Sequence, residues 1–252
     1  MDISAPNGLV IAIDGPSGSG KSSASRGVAR ALGLRYLDTG AMYRALTWWF
    51  MKDGTDPADT ALIAARAGEA AVEVSADPDH PWTRADGRDV SREIRTPEVS
   101  AQVSAVARIP AVRERLIAQQ RAIIAAARPG IVAEGRDIGT VVATGAQLKV
   151  FLTADPQARA RRRAAELSAD AAETEAAQAR RDRLDAAQSE KAADALVLDA
   201  TDLTLDQVIN EITRLARERG RNLFPADAAG LVRPQSQGRE DGSMAWAGDK
   251  ST

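Results

Sequence analysis

The chain has 252 residues, 44% of them hydrophobic and 27% charged, with a formal net charge of −2; that suits one α/β domain with an insertion, or two small domains. No global basic field draws it to nucleic acid, and no apolar run approaches the length of a membrane span. With no cysteine and one histidine, His80, disulfides, thiolate zinc sites, thiol nucleophiles and multi-histidine metal sites are excluded, and a serine–histidine triad is disfavoured.

Residues 9–13, "LVIAI", form a short apolar run that ends at Asp14-Gly15 and reads as a buried strand. "SSASRGVARALG" reads as a helix stopped by Gly33, "LRYLDTG" as a second strand ending in a polar turn, and "AMYRALTWWFMKDG" as a helix closed by Gly54. The adjacent Trp48 and Trp49 are expected to serve helix packing rather than base stacking. The stretch 70–96 has alternating residues, prolines and an Ala-Asp-Gly turn signal, and predicts a small β-rich insertion. His80 falls there, in "DPDHPW", and reads as plain surface. Residues 97–127 return to helix, bent at Pro110. "GIVAEGRD" (130–137) and "LKVFLTA" (148–154) predict two more buried strands. Asp155-Pro156 supplies a capping carboxylate and a proline at the first helical position, opening an Ala/Arg/Glu-rich helical region to about residue 187. "ALVLDAT" (195–201) is a fifth strand before a last helix, and residues 221–252 read as a mobile tail rather than a peptide docked on the domain. Strands alternating with helices imply a parallel sheet covered on both faces.

The segment Gly15-Pro16-Ser17-Gly18-Ser19-Gly20-Lys21-Ser22 fits G-x-x-x-x-G-K-[ST] without a mismatch. Glycines let successive backbone N–H groups curl around a phosphate, and the following helix adds its positive dipole end. Lys21 offers a mobile charge to the terminal phosphates, and the Ser22 hydroxyl can ligate Mg²⁺. The motif lies after a buried strand and before a helix, where the mechanism needs it.

Phosphate-loop proteins divide into classes. A guanine-reading switch needs an Asn-Lys-x-Asp element, but Asn7, Asn210 and Asn222 are the only asparagines and none precedes a lysine. A motor or transport ATPase is usually longer, and a strand ending in a Walker-B aspartate is absent, since "GIVAEG" ends in Glu134. A small kinase remains, and it needs a second anion site with cations facing the first. Strand ends supply candidates: Tyr43 and Arg44 after strand two, Arg136 and Asp137 after strand three. Arg159, Arg161, Arg162 and Arg163, then Arg180, Arg181 and Arg183, lie on the helices that follow strand four.

Four segments, "IAIDGPSGSGKSS", "YLDTGAMYR", "GRDVSREIRTPEVS" and "AEGRDIGTVV", resemble bacterial cytidylate kinases, a nucleoside monophosphate kinase family of the P-loop superfamily. The likeness spans about residues 8–218, and "GRDVSREIR" is its most specific element. The resemblance implies a P-loop three-layer α/β fold: a five-stranded parallel sheet (core 8–64, 101–158 and 190–220), a β-rich NMP-binding insertion at about 65–100, and a helical lid at about 159–189. It implies Mg²⁺- and ATP-dependent phosphorylation of CMP and dCMP in pyrimidine nucleotide metabolism. Lys21, Arg136 and Arg181 would act on the transferring phosphoryl group. Residues Gly15 to Ser22, Ser23 and Arg162 would hold ATP. Thr39, Tyr43, Arg44 and Arg136 would hold the acceptor near its phosphate. Ser104, Arg113 and Asp137 would read the cytosine edge, and Arg181 and Asp185 would contact the pentose hydroxyls or phosphates. The chain departs from the family's lid pattern at Gln188, where an arginine is expected, and lacks the usual Pro-Leu; Arg183 or Lys191 would substitute, or the lid would close less tightly. A cytoplasmic monomer with no nucleic-acid or membrane partner is expected. UMP- or shikimate-type kinases and a non-catalytic nucleotide-binding regulator are the alternatives.

Overall fold

A computed structural model describes residues 8–167 and 171–223. Five parallel strands, β1 (Leu9–Asp14), β2 (Arg35–Asp38), β6 (Gly130–Gly135), β7 (Leu148–Thr153) and β8 (Leu196–Asp199), form one sheet in the order β2-β6-β1-β7-β8. Every residue of β1 and β6 is buried. Both strands are covered on two faces, which explains why each reads as an unbroken apolar run. Their register sets Ile13 beside Glu134 and Asp14 beside Gly135, so the ends of "LVIAID" and "GIVAEG" emerge at the same level. β2 and β8 are the edge strands, and Val197 on β8 is 54% exposed.

Helices α1 (Lys21–Leu32) and α8 (Leu205–Leu223) cover one face, where Val28, Val208 and Ile212 meet Ile11 and Val150. On the other face α2 (Thr39–Lys52) and α5 (Pro110–Ala126) bury Met42, Phe50, Val112 and Leu116 against Val10 and Ile131. Phe50 is fully buried. Phe50→Ala is expected to cost about 3–5 kcal/mol through lost transfer energy and the cavity left behind, measurable as a lowered denaturant midpoint.

The middle of the chain is a separate three-stranded antiparallel sheet, β3 (Val72–Val74), β4 (Thr83–Ala85) and β5 (Arg88–Asp89). Asp86 and Gly87 join β4 to β5 with φ of 49° and 75°. Two positive φ values in a two-residue hairpin turn are what the Ala-Asp-Gly signal encodes. One flank of this unit is fixed by Arg115, which donates to the Ala67 and Ala70 carbonyls, by Gln119 on the Val72 carbonyl (2.6 Å), and by the Trp49 indole on Asp86 (2.6 Å). The other flank meets β2 and α1 through Tyr36 N–H to the Ala76 carbonyl (3.0 Å) and the Arg30–Asp79 ion pair (2.7 Å). Trp48 and Trp49 pack against the core under Arg88 and Arg66 guanidinium groups. The His80 side chain is 85% exposed, as a surface residue should be.

Three local expectations change. The polar turn after β2 is absent: Asp38 itself caps α2, its side chain accepting from Ala41 N–H (2.9 Å). The single bent helix is two, α4 (Pro97–Val106) and α5, because Pro110 lacks an N–H and starts a helix rather than bending one. Helix α3 (Thr60–Arg66) was not foreseen: it is short, buries only Ile63, and so leaves no periodic pattern. The Ala/Arg/Glu region opens at Asp155-Pro156 as expected, with Asp155 accepting from Ala158 N–H (2.8 Å), and forms α6 (Pro156–Leu167) and α7 (Ala171–Asp185). Helix α8 reaches Leu223, so the segment expected to be a mobile tail begins as helix, and its remainder, 224–252, lies outside the described residues.

Candidate active site

The loop after β1 is shaped by backbone that only glycine tolerates. Gly15 has φ of 150°, and a Cβ there would stand 2.0 Å from the Leu152 carbonyl oxygen. Gly20 has φ of 91° and caps α1 without any side-chain hydrogen bond. The first N–H groups of α1 are therefore left to an external acceptor, whereas α2, α3 and α4 are capped by Asp38, Asp59 and Thr96. Lys21 folds back over the loop, donating to the Pro16 carbonyl (2.6 Å) and reaching Ser19 Oγ (3.5 Å). Burial lowers its pKa, reinforced by nearby Arg136 and opposed by Glu134 and Asp14.

Glu134 is a candidate site residue not picked out from the sequence. Its carboxylate accepts from Ser22 Oγ (3.0 Å) and from the Tyr36 hydroxyl, and its carbonyl accepts from Thr39 Oγ1 (2.7 Å). Burial raises its pKa. Glu134 thus puts an acid beside the phosphate-loop hydroxyl from the neighbouring strand end. The signal was present in "GIVAEG": an acidic residue closing an apolar strand, set aside because it was not aspartate.

Facing this loop is a dense set of cations. Lys21, Arg44, Arg95, Arg136, Arg163 and Arg181 line one crevice together with Ser17, Gly18, Gly20, Ser22, Ser23, Asp38 and Glu134. Arg44 donates to the Ile94 carbonyl (3.1 Å) and Ser100 Oγ (2.8 Å). Burial, then Arg181 and Arg163, push its pKa down to about 9; burial and Arg136 bring Arg181 to about 10. Packing like charges this closely is costly unless an anion comes between them. Of the cations, Arg95 was not singled out from the sequence, and Arg163 was named only as one of the arginines on the helix after strand four, with no role of its own. Arg162, expected at the ATP, instead donates to the Ala200 and Leu203 carbonyls and does not line this crevice.

A second pocket continues from the first, lined by Thr39, Tyr43, Val103, Ser104, Arg113, Asp137, Asp185 and Gln188. Gly40, Arg44, Gly135, Arg136 and Arg181 line both, so they form the seam. Arg113 pairs with Asp137 at 2.5 Å and Arg136 with Asp185 at 3.2 Å. Ser104 Oγ and Arg181 Nε are buried without a hydrogen-bond partner. Burial pushes the Tyr43 phenol up to about 12. Gln188, at the position of the expected arginine, lines this pocket and reaches the Ala107 carbonyl (3.4 Å). Arg183 and Lys191 are exposed, and neither lines either pocket; the crevice cation from α6 is Arg163.

A strand–glycine loop–helix unit opposed across one crevice by clustered, mostly half-buried arginines, with a polar pocket beyond, defines a P-loop phosphotransferase for a small phosphorylated acceptor. Comparison with known proteins narrows this. The sequence model of the cytidylate kinase family matches residues 11–218. The cytidylate kinase of Streptomyces avermitilis is 50% identical over 216 residues, covering 84% of this chain and 94% of that protein. The cytidylate kinase of Mycobacterium avium is 48% identical over 221 residues, covering 84% and 96%. The chain belongs to the cytidylate kinase family and is a nucleoside monophosphate kinase, a phosphotransferase.

Proposed function

We propose that the site transfers the γ-phosphoryl group of ATP to the phosphate of CMP or dCMP, giving CDP or dCDP. The observation that carries this reading is the seam: Arg44, Arg136 and Arg181 border both the phosphate-loop crevice and the polar pocket beyond it. A donor held by Gly15 to Ser23 and an acceptor lying over Thr39, Tyr43 and Arg113 would bring their phosphates together there. The insertion at about 65–100 would cover the acceptor, and α6 and α7, within about 159–189, would close over ATP.

The base reader follows from hydrogen-bonding capacity. Cytosine offers an amino donor at N4 beside acceptors at N3 and O2. Asp137 accepts from N4, while Arg113 and Ser104 donate to the ring acceptors. The unpartnered Ser104 hydroxyl supports this, because a buried donor without a partner is costly until a ligand supplies one. Asp185 accepts from a pentose hydroxyl.

Chemistry then needs little from the protein beyond position and charge. The acceptor phosphate is already a nucleophile at neutral pH, so no general base is required. Lys21, Arg136, Arg163 and Arg181 neutralise the equatorial oxygens in transit, and the uncapped N–H groups of α1 hold the donor phosphates. Among the described residues no three acidic or histidine side chains converge as a metal cage. Mg²⁺ in such kinases takes few protein ligands and several phosphate and water oxygens, so Ser22 with Glu134 beside it fits. Those two residues would hold the ion, which supplies charge neutralisation between donor phosphates. The reading includes a cytoplasmic monomer acting on small nucleotides; among the described residues no helix is long and apolar enough to cross a membrane.

The test is a coupled assay with ATP, Mg²⁺ and each of CMP, dCMP, UMP, AMP and shikimate. CMP and dCMP are expected to turn over and chelation of Mg²⁺ to stop the reaction. Turnover of another acceptor in preference to CMP, or of none, overturns the reading.

A further inference from the structure

Asp14 closes β1, directly before the phosphate loop, and its carboxylate is spent on the opposite loop. Oδ1 accepts from Ile138 N–H (2.8 Å) and Oδ2 from Gly139 N–H (2.7 Å). Asp14 is 6% exposed. Those two amides open the single π turn Ile138–Val142, which immediately follows Arg136 and Asp137. The turn has no side-chain cap of its own. A carboxylate from another strand takes that place, and both oxygens are used.

Besides these two amides, the charges that act on the carboxylate are Lys21, which attracts it, and Asp137, which repels it. The Lys149 stem lies beside Gly139, and its ammonium pairs with Asp194 (2.9 Å). A Cβ on Gly139 would lie 3.3 Å from Asp14 Oδ2 and 3.1 Å from Lys149 Cδ. Gly139 therefore lets the backbone approach the carboxylate, and that approach fixes the direction in which the preceding residues leave the sheet. Burial raises the Asp14 pKa, and the two N–H groups work against that rise. A buried carboxylate held this way is a rigid link, because charge-assisted hydrogen bonds strengthen where water is excluded.

We propose that Asp14 is a positioning residue: it clamps the acceptor-reading turn onto the strand that carries the phosphate loop, and so sets Arg136 and Asp137 in register with the donor. This rests on the reading of Asp137 as the cytosine reader. Both hydrogen bonds on the carboxylate go to the acceptor-side turn, while its link to the donor loop is its charge attraction to Lys21, so the clamp acts on acceptor geometry.

Asp14→Asn tests it, since an amide keeps the shape but replaces one acceptor oxygen with a donor facing an N–H. Misplacing a reacting group by about 1 Å costs about 100-fold, so kcat/KM for CMP is expected to fall by about that factor. KM for CMP should rise about 10-fold while KM for ATP moves less than about 2-fold, and the CMP over UMP ratio of kcat/KM should shrink. Hydrogen exchange at the Ile138 and Gly139 amides should accelerate in the same variant. If the variant does not fold, Gly139→Ala presses on the same carboxylate and is expected to shift KM for CMP and the base ratio in the same direction. Equal changes for ATP and CMP, an unchanged base ratio, or unchanged exchange at both amides overturns the clamp. Asp137→Ala, run alongside, separates the two ideas: if it leaves the base ratio intact, the cytosine reading fails, and amide exchange still decides the clamp.

Discussion

Lys21→Ala is expected to lower kcat by about 10³-fold or more, the loss of about 4 kcal/mol of transition-state stabilisation. The ammonium is the only phosphate-loop cation, and it sits in a crevice where a water-excluded charge is worth most. The fold should not suffer. Among the described residues, Lys21 Nζ hydrogen-bonds only to Pro16 and Ser19 of its own loop. Its removal relieves repulsion with Arg136 and Arg181 and gives up attraction to Glu134 and Asp14, two opposing effects on the empty site. Steady-state kinetics and a thermal melt, run on the same preparation, check both halves. Near-normal turnover would remove the phosphate loop from the mechanism.

Asp137→Ala should erode the preference for CMP over UMP by about 10²-fold, since a buried polar site discriminates chiefly by leaving the wrong base unpaired. With the carboxylate present, the uracil O4 faces a second acceptor and is rejected. Without it, Arg113 is left with an unspent charge in the same pocket, and its guanidinium can donate to O4. The expected result is therefore two-sided: kcat/KM falls for CMP and holds or rises for UMP. Because Arg113 loses its 2.5 Å partner, the melting temperature is followed as well. Equal losses for both nucleotides would mean a structural role rather than base reading.

What the sequence disclosed follows how local each signal is. The glycine loop, the buried strands and the Asp-Pro helix start are written in contiguous residues, and each is found in the fold. Arg44, Arg136 and Asp137 were legible one step further out, because residues just past a strand end must emerge at one rim of a parallel sheet. Helical arginines gave no such help. Arg162 and Arg163 are neighbours about 100° apart on one helix. Only the Ala200 and Leu203 carbonyls, some forty residues on, decide that the first turns away and the second faces the crevice. Glu134 needed the register of β6 against β1, which pattern alone does not give. Gln188 is similar: its sequence position raised a question, and its place in the acceptor pocket comes from packing against α4.

The two-flank attachment of the antiparallel unit has an optical consequence. The chain has four tryptophans. Trp48 and Trp49 lie on the flank where α2 meets this unit, each beneath a guanidinium, and Trp82 lies within the unit beside Arg84. Indole emission responds to a nearby cation and to water. The unlabelled protein therefore carries its own fluorophores at the border between insertion and core, and the way that border seats can be followed through its native spectrum, without a dye.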